Sequence, residues 1–434
     1  MNRMPQAKFK LRAVLSAGVL LGLWGLFLSF DALALENAQT LPKGVRRLWV
    51  IGIVSNDVDR RYSGDGSVEN VTPGTNKTLT MKDFQRSEPK LRTLVKNLND
   101  VESGLGDRLE AFSNVYNNYT IRKEILTPTF QYGLTDRITI GVRAEVVKRV
   151  VSNRITSTSV SNSDQLLKEL GARASNPQNL VSGLDSLSEK NLTPSFVTYR
   201  MFNFKGYEAP NDFTRTDLGD VEVGAKYKFF DNGVHMSAIQ SRAIIPTGKP
   251  RPLNNPFDSG SGYGAWGTGL ELYHEYFPLR FLSFGAAALG RYYFADTRDR
   301  AVPLDADDNL PSLRPEDGQV ESVRRQSGQE LRTEASTMLH IPGDMFKVWG
   351  AYQYWVKGSD EFSGNRSLFY QGLKKDTGWN ISMWEAGIRF STIQLYRRGQ
   401  FRAPLEVDAS YNSSFSGRNI REASYGRLDL KVYF

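Results

Sequence analysis

The chain has 434 residues, no cysteine and a formal charge of +8. The absence of cysteine excludes a zinc–thiolate site, an iron–sulfur cluster and thiol catalysis, and an exported chain of this size must then rely on burial or on a closed hydrogen-bond network. The charge is modest and Lys and Arg are interleaved with Asp and Glu, which argues against a nucleic-acid partner.

Lys8, Lys10 and Arg12 precede an apolar run from Ala13 to Phe30, followed by Asp31 and Ala32-Leu33-Ala34. A basic start, an apolar middle and a small-x-small exit predict a secretory signal peptide over residues 1–34, cleaved after Ala34. The run is long enough that an uncleaved helical anchor is the alternative. With no cysteine near that point, a lipid-anchored N-terminus is excluded. Arg3, Lys8, Lys10 and Arg12 against Asp31 make the segment +3, which leaves +5 for the rest. No second long apolar run follows, yet the chain holds 19 Tyr, 24 Phe and 38 Gly. A membrane barrel combines these features, since half of each strand is polar and its turns take glycine.

Residues 35–434 are expected to form a single outer-membrane β-barrel domain. Arg46 to Val54 (RRLWVIGIV) is the predicted first strand, with Trp49 near one membrane interface. About ten residues separate it from Ala34, too few for a folded plug domain. A long polar loop is predicted over 55–118. Within it Leu91, Leu94, Val95, Leu98, Val101 and Leu105 keep near-helical spacing after Pro89, which predicts a helix packed over the barrel mouth.

The first hairpin is predicted from Tyr119–Tyr132 and Arg137–Val150, turning through Gly133-Leu134-Thr135-Asp136. A second long loop spans 151–217, with a helix-like stretch from Ser163 to Ala172. Leu218–Phe230 and Val234–Ile245 then pair through Asp231-Asn232-Gly233, and the broken alternation at Ala238-Ile239 reads as a bulge. Trp266–Phe277 and Arg280–Phe294 turn at Pro278-Leu279. A third long loop covers 295–328. Gln329–His340 and Met345–Lys357 turn at Ile341-Pro342-Gly343-Asp344, and Trp379–Phe390 pairs with Arg402–Ser414.

Ser424–Phe434 closes the chain. Phe434, Val432, Leu430 and Leu428 share one face, while Tyr433, Lys431, Asp429, Arg427 and Tyr425 share the other. A soluble edge strand would be blunted by charge or proline, whereas a membrane strand turns its apolar face to lipid. The fold class is therefore all-β: a transmembrane antiparallel β-barrel of twelve strands, with fourteen as the alternative count, and helical segments in its long outer loops. Both termini and the short turns fall on one side and the long loops on the other, the arrangement of an even-stranded barrel in the outer membrane of a Gram-negative bacterium. The expected partners are outer-membrane lipid, the barrel-assembly machinery through the closing strand, and small solutes.

Three fragments carry a resemblance. Tyr132-Gly133-Leu134-Thr135-Asp136-Arg137-Ile138 resembles the first turn of a bacterial outer-membrane family named for the meta-pathway of phenol degradation. Leu218-Gly219-Asp220-Val221-Glu222-Val223-Gly224-Ala225-Lys226-Tyr227 is similar to its recurrent strand, and Pro246-Thr247-Gly248-Lys249-Pro250 to the start of its following outer loop. The resemblance implies a barrel that passes small, often hydrophobic, compounds. The long helical loops here are larger than that family's usual ones.

The candidate site is the lumen. Arg143, Glu145, Glu222, Lys226, Lys228, Arg291, Arg332, Glu334, Lys347, Glu406, Asp408, Arg427, Asp429 and Lys431 point inward in the predicted register. Mixed charges of this kind brace an interior or line an aqueous path, and twelve strands allow a narrow channel. Barrel enzymes need a histidine base at the outer rim, but His235, His274 and His340 fall near the opposite strand ends, so no enzyme is expected. Thr247-Gly248-Lys249 is not a phosphate loop, because Ala243 and Pro250 replace the required glycine and Ser/Thr. Asp305, Asp307, Asn309 and Glu316 have calcium-loop spacing, but Leu310 stands where glycine is needed, and no cofactor or metal is assigned. The expected function is an outer-membrane channel for small solutes, hydrophobic or aromatic ones included, by passive diffusion. The alternatives are a surface interaction or structural barrel acting through its outer loops, and a hydrophobic-ligand transporter with a lateral opening at the Ala238-Ile239 bulge.

Overall fold

The computed structural model describes residues 37–72, 77–87, 89–171, 178–306, 308, 310–341 and 345–434. The signal segment 1–34, Ala172, Asp307, Asn309 and turn residues 342–344 lie outside them. Twelve strands make the wall: β1 (Arg46–Ser55), β2 (Ala111–Thr135), β3 (Ile138–Ser161), β4 (Phe213–Asp231), β5 (His235–Ile245), β6 (Gly267–Leu279), β7 (Leu282–Tyr293), β8 (Glu330–His340), β9 (Phe346–Lys357), β10 (Trp379–Ser391), β11 (Leu405–Arg418) and β12 (Ser424–Tyr433). Each pairs antiparallel with its sequence neighbour, and β1 pairs with both β2 and β12. Val50, for instance, lies opposite Leu430 on one side and Pro128 on the other. Closure removes the sheet edges that would otherwise be unpaired. A short strand, Lys77–Leu79, adds to β2 beyond the wall.

The alternation does what a bilayer requires. On β12 Arg427, Asp429 and Lys431 are buried, while Leu428 is 57% exposed, and Phe434 just past the strand is 60% exposed. Leu270, Leu272, Phe284, Leu339 and Ile388 are likewise exposed on the outer face. No helix of the described residues is long and apolar enough to cross a membrane; the crossing is made by strands. This is the architecture of a bacterial outer-membrane barrel.

Four local expectations change. The first hairpin takes in residues 111–118 and 151–161, and β4 begins at Phe213, all of which the sequence places in loops. Twenty-five residues of β2 span about 80 Å at 3.3 Å each, well beyond a bilayer, so the outward faces of these extensions meet water and lose the apolar alternation. The β6–β7 turn is Arg280-Phe281 rather than Pro278-Leu279, since Leu279 pairs with Leu282. The bulge is on β4, not at Ala238-Ile239: Lys228 faces Ala238 and Phe230 faces Ser237, which leaves Phe229 extra. Trp49 is not at an interface. It is 1% exposed inside the barrel, between Lys431, 4.9 Å from its ring, and Arg47, 5.2 Å away. Both faces of β1 are apolar, so its sequence does not say which side is inward.

Above the wall the outer loops form a cap with its own core. Helices α1 (Met81–Ser87), α2 (Pro89–Val101), α3 (Ser163–Gly171), α4 (Gln178–Asp185) and α5 (Pro194–Met201) bury Leu91, Leu94, Leu98, Leu166, Leu170, Leu184 and Val197 against Val115, Tyr119 and Ile121 of β2. At Gly183 of α4 an added Cβ would meet the Leu94 methyls of α2, so a side chain there would make Leu94 shift. The helices expected near Pro89 and Ser163 are present and cover the mouth.

Candidate functional site

The short-turn ends of the strands surround a cavity of about 570 Å³. Its walls are side chains that the period-two pattern sends inward. Arg143, Glu222, Lys226, Lys347, Glu406 and Lys431 line it, together with Arg47, Arg242, Glu275 and Arg389, which the sequence reading does not single out. Gly141 and Gly224, opposite each other on β3 and β4, leave room between the larger side chains.

Two further elements shape this mouth. The chain from Asn37 to Val45 enters it as a strap. The Ala38 N–H donates to Glu275 Oε2 at 3.1 Å, Lys226 Nζ donates to the Asn37 carbonyl at 3.0 Å, and the Leu41 N–H donates to Thr139 Oγ1 at 2.8 Å. Asp136 of the first turn accepts the Lys43 N–H at 2.9 Å. These bonds hold residues 37–43 in the mouth as an extended strap. Second, the β10–β11 connection is not a tight turn: it carries a helical turn, Ile393–Arg397, whose Ile393, Tyr396 and Arg397 face the cavity.

Along and behind the cavity wall the charges are paired in four sets. Glu222 takes Arg143 at 2.8 Å, Arg242 at 3.2 Å and Arg291 at 3.7 Å, and Arg242 also reaches Glu271 at 2.7 Å. Asp408 takes Arg389 at 2.6 Å and Lys431 at 2.7 Å. Arg427 pairs with Asp429 at 2.6 Å, and Arg332 with Glu334 at 3.2 Å. Gln353 donates to Glu385 at 2.9 Å. Beside these lies an apolar cluster inside the wall, with Trp49, Ile51, Ile53, Trp355, Trp379, Ile381 and Tyr425. The Arg332 guanidinium stacks 4.3 Å from the Trp355 ring.

Two of the predicted lumen residues stand apart. Glu145 lies opposite a bulge of β4, where Gly219 and Asp220 both face it between the pairs Ala144–Val221 and Val146–Leu218. Lys228 sits at the β4–β5 turn, 2.7 Å from Asp231. Glu271, Glu385 and Arg389 lie outside the predicted set although each alternates with apolar neighbours as that set does, Leu270 and Leu272 flanking Glu271 on the outer face; Glu275 stands between His274 and Tyr276.

The histidines lie near the short-turn ends. His235 stacks on Tyr276 at 4.7 Å and on His274 at 5.5 Å, and His340 Nε2 is 3.0 Å from the Ser283 hydroxyl beside the cavity. Glu316 accepts Arg314 Nε at 2.6 Å and Asp305 accepts the Asp308 N–H at 3.0 Å. Among the described residues no group of three or more His, Asp or Glu is gathered to hold a metal. Thr247 and Gly248 are held by Gly219 and Asp220: Asp220 accepts the N–H groups of Gly248 at 2.9 Å and Tyr263 at 2.7 Å, and the Thr247 hydroxyl donates to Gly219 O at 2.9 Å. Two of the fragments that carry the family resemblance thus meet as one loop anchor.

No family model and no curated protein matches the chain. Among solved structures it is similar to an outer-membrane channel from Pseudomonas putida F1, at 11% identity over 92% of this chain and 98% of that one, with a TM-score of 0.49. It is also similar to the Pseudomonas putida toluene transporter TodX, at 9% identity over 96% and 97% of the two chains and a TM-score of 0.32. A Pseudomonas aeruginosa FadL homologue shares 11% identity over 93% of each chain, with a TM-score of 0.30. At these scores the likenesses assign neither a family nor a cargo to this chain.

Proposed function

We propose that the protein is an outer-membrane channel through which small solutes, hydrophobic and aromatic ones among them, move by passive diffusion. The observation that carries this is the cavity of about 570 Å³ at the short-turn mouth, inside a closed wall and lined by both charged and apolar side chains. Small-ligand sites of about 300–1,000 Å³ with a few polar groups among apolar ones are common in barrel mouths. The resemblance to the meta-pathway family points to the same class of cargo. Its outer cap and its inner strap would be the two gates. Purified protein in planar bilayers should give discrete conductance steps; a sealed barrel that also fails to admit solutes in liposome swelling would contradict the proposal.

A lateral route is the second reading, and one observation favours it. The β2–β3 ladder skips Thr127 and Pro128 opposite Ala144 and Glu145, next to the Gly219-Asp220 bulge of β4. Pro128 has no N–H to donate. A disulfide placed across this interruption would block a hydrophobic solute while leaving ion conductance unchanged. On the same footing, the exposed Phe434 ring and the Leu428–Leu430 face are what the barrel-assembly machinery would engage.

A further inference from the structure

The vestibule carries more positive than negative charge. Eight Arg and Lys side chains line it, against three side-chain carboxylates, those of Glu222, Glu275 and Glu406, and the terminal carboxylate of Phe434. Asp408, just behind the wall of the cavity, adds one acid.

Each of these side-chain acids already faces more than one cation. Glu222 has three arginines within 3.7 Å, and Asp408 has Arg389 and Lys431. Glu406 accepts the Tyr433 hydroxyl at 2.6 Å and lies in the field of Arg389 and Lys431. Glu275 receives the Ala38 N–H at 3.1 Å and lies in the field of Lys226, Lys347 and Arg389, which come from three different strands. Surplus charge in a confined interior is costly until a counter-charge arrives. Next to these cations stands an apolar face of Phe277, Met338, Ile393 and Tyr396.

We infer that the vestibule selects small organic anions, and that a carboxylate carried on an aromatic ring is the class it fits. The carboxylate is placed towards Lys226, Lys347 and Arg389, and the ring against Phe277 and Met338. Rings of one sign of charge set the sign of the ion that passes. This inference rests on the channel reading and adds the cargo's charge to it.

The test is a planar bilayer holding the full protein under a potassium chloride gradient. Chloride is expected to pass several-fold over potassium. Sodium benzoate added on the short-turn side should interrupt the current, and benzyl alcohol at the same concentration should not. The double variant Lys226→Glu, Lys347→Glu should move the preference towards potassium and abolish the benzoate effect. Cation preference in the unaltered protein, or equal block by benzyl alcohol, overturns the inference and leaves the channel standing. If no current flows, the channel reading fails instead. Benzoate titrated calorimetrically into detergent-solubilised protein then decides the anion site: saturable binding lost in the double variant supports it, and no binding overturns it.

Discussion

Arg143 of β3 stands directly across from Glu222 of β4, guanidinium to carboxylate at 2.8 Å, and Arg242 and Arg291 close on the same carboxylate from β5 and β7. One buried anion therefore holds together side chains from four strands. Glu222→Gln removes the charge and leaves the arginines in place. Losing one partner of a buried ion group costs about 3–5 kcal/mol, so the urea midpoint for unfolding in phospholipid vesicles should fall clearly. An unchanged midpoint would mean that the arginines are compensated by something other than Glu222.

The strap is held by backbone. The Gly44 N–H donates to Gly133 O at 2.8 Å, and the Gly133 N–H donates to Val45 O at 2.9 Å. A methyl group at Gly133 would collide with the Pro42 carbonyl oxygen. Gly133→Ala should thus push the strap away from the mouth. Faster hydrogen exchange at the Gly44 amide and a larger single-channel conductance are the expected results. Faster exchange with unchanged conductance would show that the strap does not gate the cavity.

Leu428, near the middle of β12, is exposed on the outer face, whereas Asp429 beside it is buried. Leu428→Lys should cost about 2–4 kcal/mol if the residue sits at the bilayer midplane, and Val432→Lys, nearer the interface, should cost about 0–1 kcal/mol. Equal costs at both positions in vesicle unfolding would argue that this face does not meet hydrocarbon.

In the outer loops Glu321 accepts hydrogen bonds from the Tyr370 hydroxyl and the backbone N–H groups of Asn365 and Arg366. Burial pushes its carboxyl up, but these bonds outweigh burial and hold it below the usual carboxylate range. A depressed carboxyl stabilises the folded loop above its unfolded pKa, and that contribution is lost as pH falls through the folded one. The Asn365 and Arg366 amides should therefore stay protected from hydrogen exchange at neutral pH. They should lose protection only under acid conditions below the ordinary carboxylate range. Loss of protection already near pH 5 would be the opposite result.

Much of this was legible because lipid imposes a strict rule. On β12 each charged residue alternates with an apolar one, and the short turns around Asp136 and Asn232 mark hairpins on their own. The rule lapses where its cause lapses. The outer parts of β2 and β3 meet water, so Asn114, Asn118 and Thr158 give no outward signal. On β1 the interior is itself apolar, and Trp49, Ile51 and Ile53 look like lipid-facing residues. The strap and the Ile393–Arg397 turn obey no period, and only the three-dimensional mouth gives them a place. Arg389 was within reach of the same alternation that picked out Lys226 and Lys431.

The whole account depends on the wall closing between its first and last strands. The chain has no cysteine, so a pair can be introduced cleanly at Val50 and Leu430, which face each other across that seam. Val50→Cys with Leu430→Cys, oxidised in intact outer membranes, should give a monomeric species of altered mobility that reverts with reductant. If both thiols take up a membrane-soluble label yet never cross-link, the seam is not closed, and neither the enclosed vestibule nor the channel can stand.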